Sequence, residues 1–116
     1  MTLGIRIPIF SSQLEKAREA TDMANIRAAY AAVSTDVLTD PKAEDAQNKV
    51  DYDDKTGTYK ATVTATQTKT NWQSGKTKDA TTIDIGGQNV EAVTNGATWT
   101  VTGNVETGVV TIAKTK

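Results

Sequence analysis

Hydrophobic and polar positions follow one rhythm up to about Asp40-Pro41 and another beyond it. From Ser11 to Val37 there is no Gly or Pro, Ala is frequent, and apolar residues recur every three or four positions, which predicts a helix. Ser12 and Glu15 stand at capping-box spacing at its start. Asp40-Pro41 stops it, because the residue before Pro is disfavoured in the α region. At about 100° per residue, Met23, Ile26, Tyr30, Val33 and Val37 share one face. Leu14, Ala17, Thr21, Ala24, Ala28 and Ala31 share another, roughly opposite. Arg18, Asp22, Asn25 and Asp36 separate the two on one flank, and Lys16 and Arg27 on the other. The bulky stripe suits packing on a sheet. The small-residue stripe fits either the close approach of another helix or a solvated run of helix-favouring alanines, and periodicity leaves both open.

The rest of the chain alternates with period two. Thr58–Gln67 places Tyr59, Ala61, Val63 and Ala65 on one face with Thr and Lys on the other, the mark of a half-buried strand. Ala97–Thr102 repeats the pattern with Trp99 and Val101 inward, and Gly108–Ala113 pairs with it across a Gly-bounded loop. Thr81–Ile85 before Gly86-Gly87 is a further short strand. Val50–Tyr52 pairs with the Tyr59 strand through a loop ending at Gly57. The expected fold is α+β: a long N-terminal α-helix packed on one face of an antiparallel meander sheet. One domain over residues 1–116 is expected, with the helix at about 8–38, a connecting loop at 39–49 and the sheet at 50–116.

Composition narrows the chemistry. Hydrophobic residues make up 37% and aromatics 5%, so the core is thin and built from Ala, Val and Ile. Net charge is −1 with both signs mixed, which removes the electrostatic footprint of a nucleic-acid binder. With no Cys and no His, thiolate metal sites, disulfides, cysteine nucleophiles and imidazole acid–base chemistry are excluded. No paired acids stand beside a plausible nucleophile, and enzyme activity is not expected. Met1–Phe10 is apolar but far shorter than the ~20 residues that span a bilayer.

One stretch carries a family resemblance. Ile7-Pro-Ile-Phe-Ser-Ser-Gln-Leu-Glu-Lys-Ala-Arg-Glu-Ala-Thr-Asp-Met-Ala-Asn-Ile-Arg-Ala-Ala-Tyr30 resembles the spine helix of type IV pilins and pseudopilins, particularly those of Gram-positive bacteria. A Pro like Pro8 follows the long hydrophobic stretch of that family, and the run Ala17 to Arg27 continues its helix into the head. The resemblance covers about 30 residues; the β half matches only in kind. It implies a structural subunit, a major or minor pilin or a pseudopilin, of a pilus or of a related secretion or DNA-uptake filament. Met23, Ile26, Tyr30, Val33 and Val37 would hold the sheet, and Phe10, Leu14, Ala17, Ala24, Ala28 and Ala31 would meet neighbouring subunits. The implied partners are other pilin subunits and the assembly machinery. The implied location is the cell surface, reached from a precursor anchored in the inner or cytoplasmic membrane. The family's leader and acidic apolar segment have no counterpart, and Arg6 stands where the family has an apolar residue, so residues 1–6 are read as an altered start. The chain as it stands is then expected to be a soluble monomer.

Other groupings are weaker. Asp51-Tyr-Asp-Asp54 resembles part of a calcium loop, but Lys55 occupies the fifth position and no Glu closes it. Asp51, Asp53 and Asp54 are read as an acidic turn, with a calcium site as the lesser alternative and no other cofactor expected. Trp72 and Trp99 are read as core. An alternative function, a β-rich adhesin or carbohydrate-binding module, would use Trp72 and nearby loops to contact ligand.

Overall fold

A computed structural model describes residues 11–68, 71–72 and 80–115, with side chains from Leu14 onward. One helix, α1 (Ser11–Thr39), is followed by β1 (Asp51–Asp53), β2 (Thr58–Thr64), β3 (Thr82–Ile85), β4 (Gln88–Glu91), β5 (Thr98–Asn104) and β6 (Val110–Lys114). The helix packs against an antiparallel four-stranded sheet of order β1-β2-β5-β6, while β3 and β4 form a separate hairpin. The fold is therefore α+β. Both Ser12 and Glu15 lie inside the helix, so the capping box expected at this point does not form its start.

The helix stops where Asp40 adopts φ 45° and donates its N–H to Asp36 O at 2.7 Å. A left-handed residue after the last turn, followed by Pro41, cannot continue the helix. The Tyr59 hydroxyl fastens this corner to β2: it donates to Asp40 Oδ1 at 2.9 Å and accepts from Lys42 N at 2.8 Å.

The alternation in β2 and β5 becomes an inner face of Tyr59, Ala61, Val63, Trp99 and Val101, all buried. Tyr52 lies opposite Tyr59 in the β1–β2 register, and their ring centroids are 4.7 Å apart. In one respect the sheet is not a simple meander. Its central pair, β2 and β5, aligns Ala61 with Val101, and the β3–β4 hairpin is inserted between them in sequence. β4 was not expected, because Gln88-Asn-Val-Glu91 carries a single apolar residue. Tertiary contacts supply what alternation lacks. Trp72 Nε1 donates to Val90 O at 2.8 Å and Trp99 Nε1 to Glu91 O at 2.7 Å. The Gln88 amide donates to Val110 O and accepts from Ile112 N, covering the outer edge of β6.

Helix and sheet meet closely at Gly103. A Cβ placed there would lie 2.5 Å from Val37 Cγ2 and 2.7 Å from Val33 Cγ1. Gly86 makes the corresponding contact for the hairpin: it turns at φ 60°, and a Cβ would lie 3.1 Å from the Tyr30 ring. Glycine is needed there both for the left-handed turn and for the approach.

Candidate functional site

The two sides of the helix differ. Ile26 and Val33 are fully buried, and Met23, Tyr30 and Val37 are half-buried against the same core. Glu15, Glu19 and Asp22 extend this inner stripe toward the N-terminus, and all three are buried. At 100° per residue each lies within about 40° of Ile26, so Asp22 belongs to the sheet-facing stripe and not to a separating flank.

Two of these acids, Glu15 and Asp22, bind backbone. β2 pairs with β5 up to Thr64, and the chain then continues as Ala65-Thr66-Gln67-Thr68. Asp22 Oδ1 accepts from Thr66 N at 2.9 Å and Thr66 Oγ1 at 2.8 Å, while Asp22 Oδ2 accepts from Gln67 N at 2.9 Å. Glu15 takes Thr68 N at 2.9 Å and Thr68 Oγ1 at 2.8 Å, and Arg18 lies 3.6 Å from the Glu15 carboxylate. Two carboxylates about two helical turns apart thus bind the N–H groups of a segment that has left the sheet. Sequence reasoning placed Asp22 on a separating flank and Glu15 in a capping box, and missed this pairing. The available signal was the spacing of 15, 19, 22 and 26, which continues the apolar stripe, together with the hydroxyl-bearing Thr66 and Thr68.

The other side is open. Ala17, Ala24, Ala28 and Ala31 are exposed and Leu14 is 41% exposed; Phe10 lies outside the described residues. Between this row and the sheet runs a groove of about 440 Å³, lined by Asn25, Ala28, Ala29 and Ala32 on α1 and by Ala61–Thr64 on β2. It exists because β1 pairs only with Thr58–Lys60, leaving that edge of β2 uncovered beyond Lys60.

In the acidic turn at Asp51, Asp53 and Asp54, the Asp53 carboxylate caps its own loop: Asp53 Oδ1 accepts from Lys55 N at 3.0 Å, and Asp53 O accepts from Gly57 N at 2.8 Å. Among the described residues no group of three or more Asp or Glu side chains gathers where a metal could bind. Trp72 and Trp99 are both fully buried and stack with centroids 6.1 Å apart at 16°, so neither presents a ring face to a sugar. Among the described residues no helix is long and apolar enough to cross a membrane.

No protein-family model, characterised protein or solved structure matches the chain. What stands is an α+β chain whose long helix packs an apolar stripe on the sheet, holds the segment after β2 through buried carboxylates and leaves a small-residue face exposed.

Proposed function

We propose that the chain is the head and lower spine of a structural, non-enzymatic filament subunit of the type IV pilin or pseudopilin kind. The observation that carries the reading is the exposed row Ala17, Ala24, Ala28 and Ala31 on a 29-residue helix whose opposite face is committed to the sheet. Small side chains let a neighbouring helix come close, and a sheet-backed helix holds that row in a fixed orientation. The resemblance of Ile7–Tyr30 to the pilin spine supports the same reading. It requires an apolar segment of ~20 residues ahead of Pro8 in the native precursor. The alternative of a carbohydrate-binding head draws no support from Trp72, whose ring is buried.

The test is made on the full native gene product in its own cells. Sheared surface filaments should contain the chain, and Ala24→Arg or Ala28→Arg should remove it from them while leaving the thermal unfolding of the head unchanged. Arginine variants that still enter filaments normally would defeat the assignment of this face. Finding the chain in no filament or secretion-machine fraction would defeat the function.

A further inference from the structure

The turn leading into β5 carries the single Asn-Gly pair of the sequence, Asn95-Gly96. Ala97 N donates to Thr94 O at 3.0 Å and closes the turn. Gly96 takes φ 87°, a left-handed value that glycine adopts without strain. Asn95 is exposed, yet its turn is docked on the segment that follows β2. Gly96 N donates to Ala65 O at 3.2 Å, and Ala65 N donates to Ala97 O at 2.8 Å. The Asn95 amide Nδ2 donates to Thr66 O at 3.3 Å. Thr66 is also the residue whose N–H and hydroxyl Asp22 holds from the helix.

We propose that Asn95 is a site of spontaneous deamidation, and that docking of its turn on Ala65 and Thr66 guards it. Glycine has no Cβ to hinder the approach of its own nitrogen to the side-chain carbonyl carbon of the residue before it. The Gly96 nitrogen gives up its proton and bonds to Asn95 Cγ. The Cγ–Nδ2 bond breaks, and Nδ2 leaves as ammonia with that proton. The succinimide ring left behind takes up one water and opens to aspartate or isoaspartate, with no change of oxidation state. Both nitrogens of this step are engaged in the fold: the Gly96 N–H by Ala65 O, and Nδ2 by Thr66 O. The attacking nitrogen cannot shed its proton or turn toward Cγ while that bond holds, so the reaction waits for the turn to lift from the segment.

The product cannot dock as the amide did. A carboxylate has no hydrogen to give to Thr66 O and meets it as a second acceptor. It also sets a negative charge beside a residue whose N–H and hydroxyl already bind the Asp22 carboxylate. Isoaspartate goes further, because it adds a main-chain atom inside the turn that Thr94 O and Ala97 N close. Deamidation is thus a one-way loosening of the corner where the helix holds the chain beyond β2.

Peptide mass spectrometry that separates Asn, Asp and isoaspartate follows the site in the full chain, incubated in mildly alkaline buffer. Deamidation at Asn95 should be roughly tenfold slower in the folded chain than in guanidinium, since two hydrogen bonds must open first. Amide exchange should show the Gly96 N–H protected to a similar degree. Asp22→Asn, which weakens the hold on Thr66, should speed deamidation of the folded chain several-fold. Gly103→Ala strains the fold elsewhere, against Val33 and Val37, and should leave that rate unchanged. Asn95→Asp, the product made directly, should speed amide exchange at Thr66 and Gln67. Equal rates in the folded and unfolded chain would remove the guard. A rate unmoved by Asp22→Asn, or raised as much by Gly103→Ala, would remove the docked segment as its cause. Asn95 intact in guanidinium after other asparagines have reacted would remove the site itself.

Discussion

Asp22 Oδ2 accepts the backbone N–H of Gln67 at 2.9 Å, across 45 residues of sequence, at a place where both residues are fully buried. With the Thr66 amide and hydroxyl on the same carboxylate, three donors depend on one side chain. Asp22→Ala should lower unfolding stability by about 3 kcal/mol or more, since hydrogen bonds to charged groups are worth roughly 1.5–3 kcal/mol each and buried donors would be left unmet. Asp22→Asn keeps the volume but replaces one acceptor by a donor facing an N–H, so it should recover only part of the loss. Urea denaturation of the two variants decides; an Asp22→Ala chain as stable as the parent would show that this carboxylate is dispensable.

Gly103 makes a second, steric prediction. Gly103→Ala should destabilise by about 1–3 kcal/mol, the usual cost of overpacking. The added methyl would sit 2.5 Å from Val37 Cγ2. Adding Val37→Ala should relieve part of that cost, so the double variant should be more stable than the sum of the single effects implies. Strict additivity would place the strain elsewhere.

Alkaline pH tests the corner at Tyr59. Burial raises its hydroxyl above the ordinary value of 10.0. The stability it contributes is therefore complete below 10.0 and is lost as pH rises through the folded value. Tyr59→Phe should remove that alkaline step and cost about 1–2 kcal/mol near neutrality, because Asp40 and Lys42 N lose their shared partner. Thermal melts from pH 7 upward would register both effects.

Trp72 joins the hairpin to the sheet. Trp72→Phe keeps a ring against Trp99 but leaves Val90 O without its indole donor, a loss of about 1–3 kcal/mol. The change should appear first in the near-ultraviolet dichroism of the paired indoles and in faster amide exchange on β3 and β4. Uniform exchange across both sheets would indicate that the hairpin does not open on its own.

How far the fold can be read from the sequence depends on which interactions hold each part. The helix was legible because an Ala-rich run free of Gly and Pro ends at Asp40-Pro41, and β2 because Tyr59, Ala61, Val63 and Ala65 alternate with Thr and Lys. Both signals are local. β4 was not legible, since Gln88, Val90 and Glu91 are placed by Val110, Ile112 and the two indoles. The carboxylate grip was hidden for a different reason. A hydropathy stripe counts Glu15 and Asp22 as solvent-facing, whereas backbone amides beyond the end of β2 give them a buried role. Of the helix's inner face, Ile26 and Val33 could be picked from spacing alone; the partners of its acids could not.

The insertion of the hairpin between β2 and β5 also has a consequence in time. Ala61 cannot meet Val101 until some forty intervening residues have been made and gathered, and closing a loop of that length costs about 3 kcal/mol of chain entropy before any contact repays it. The inner face of the helix has no complete sheet to rest on until then. Its valines, its isoleucine and its three carboxylates must wait in water, so the last third of the chain to emerge decides when the first third is sheltered.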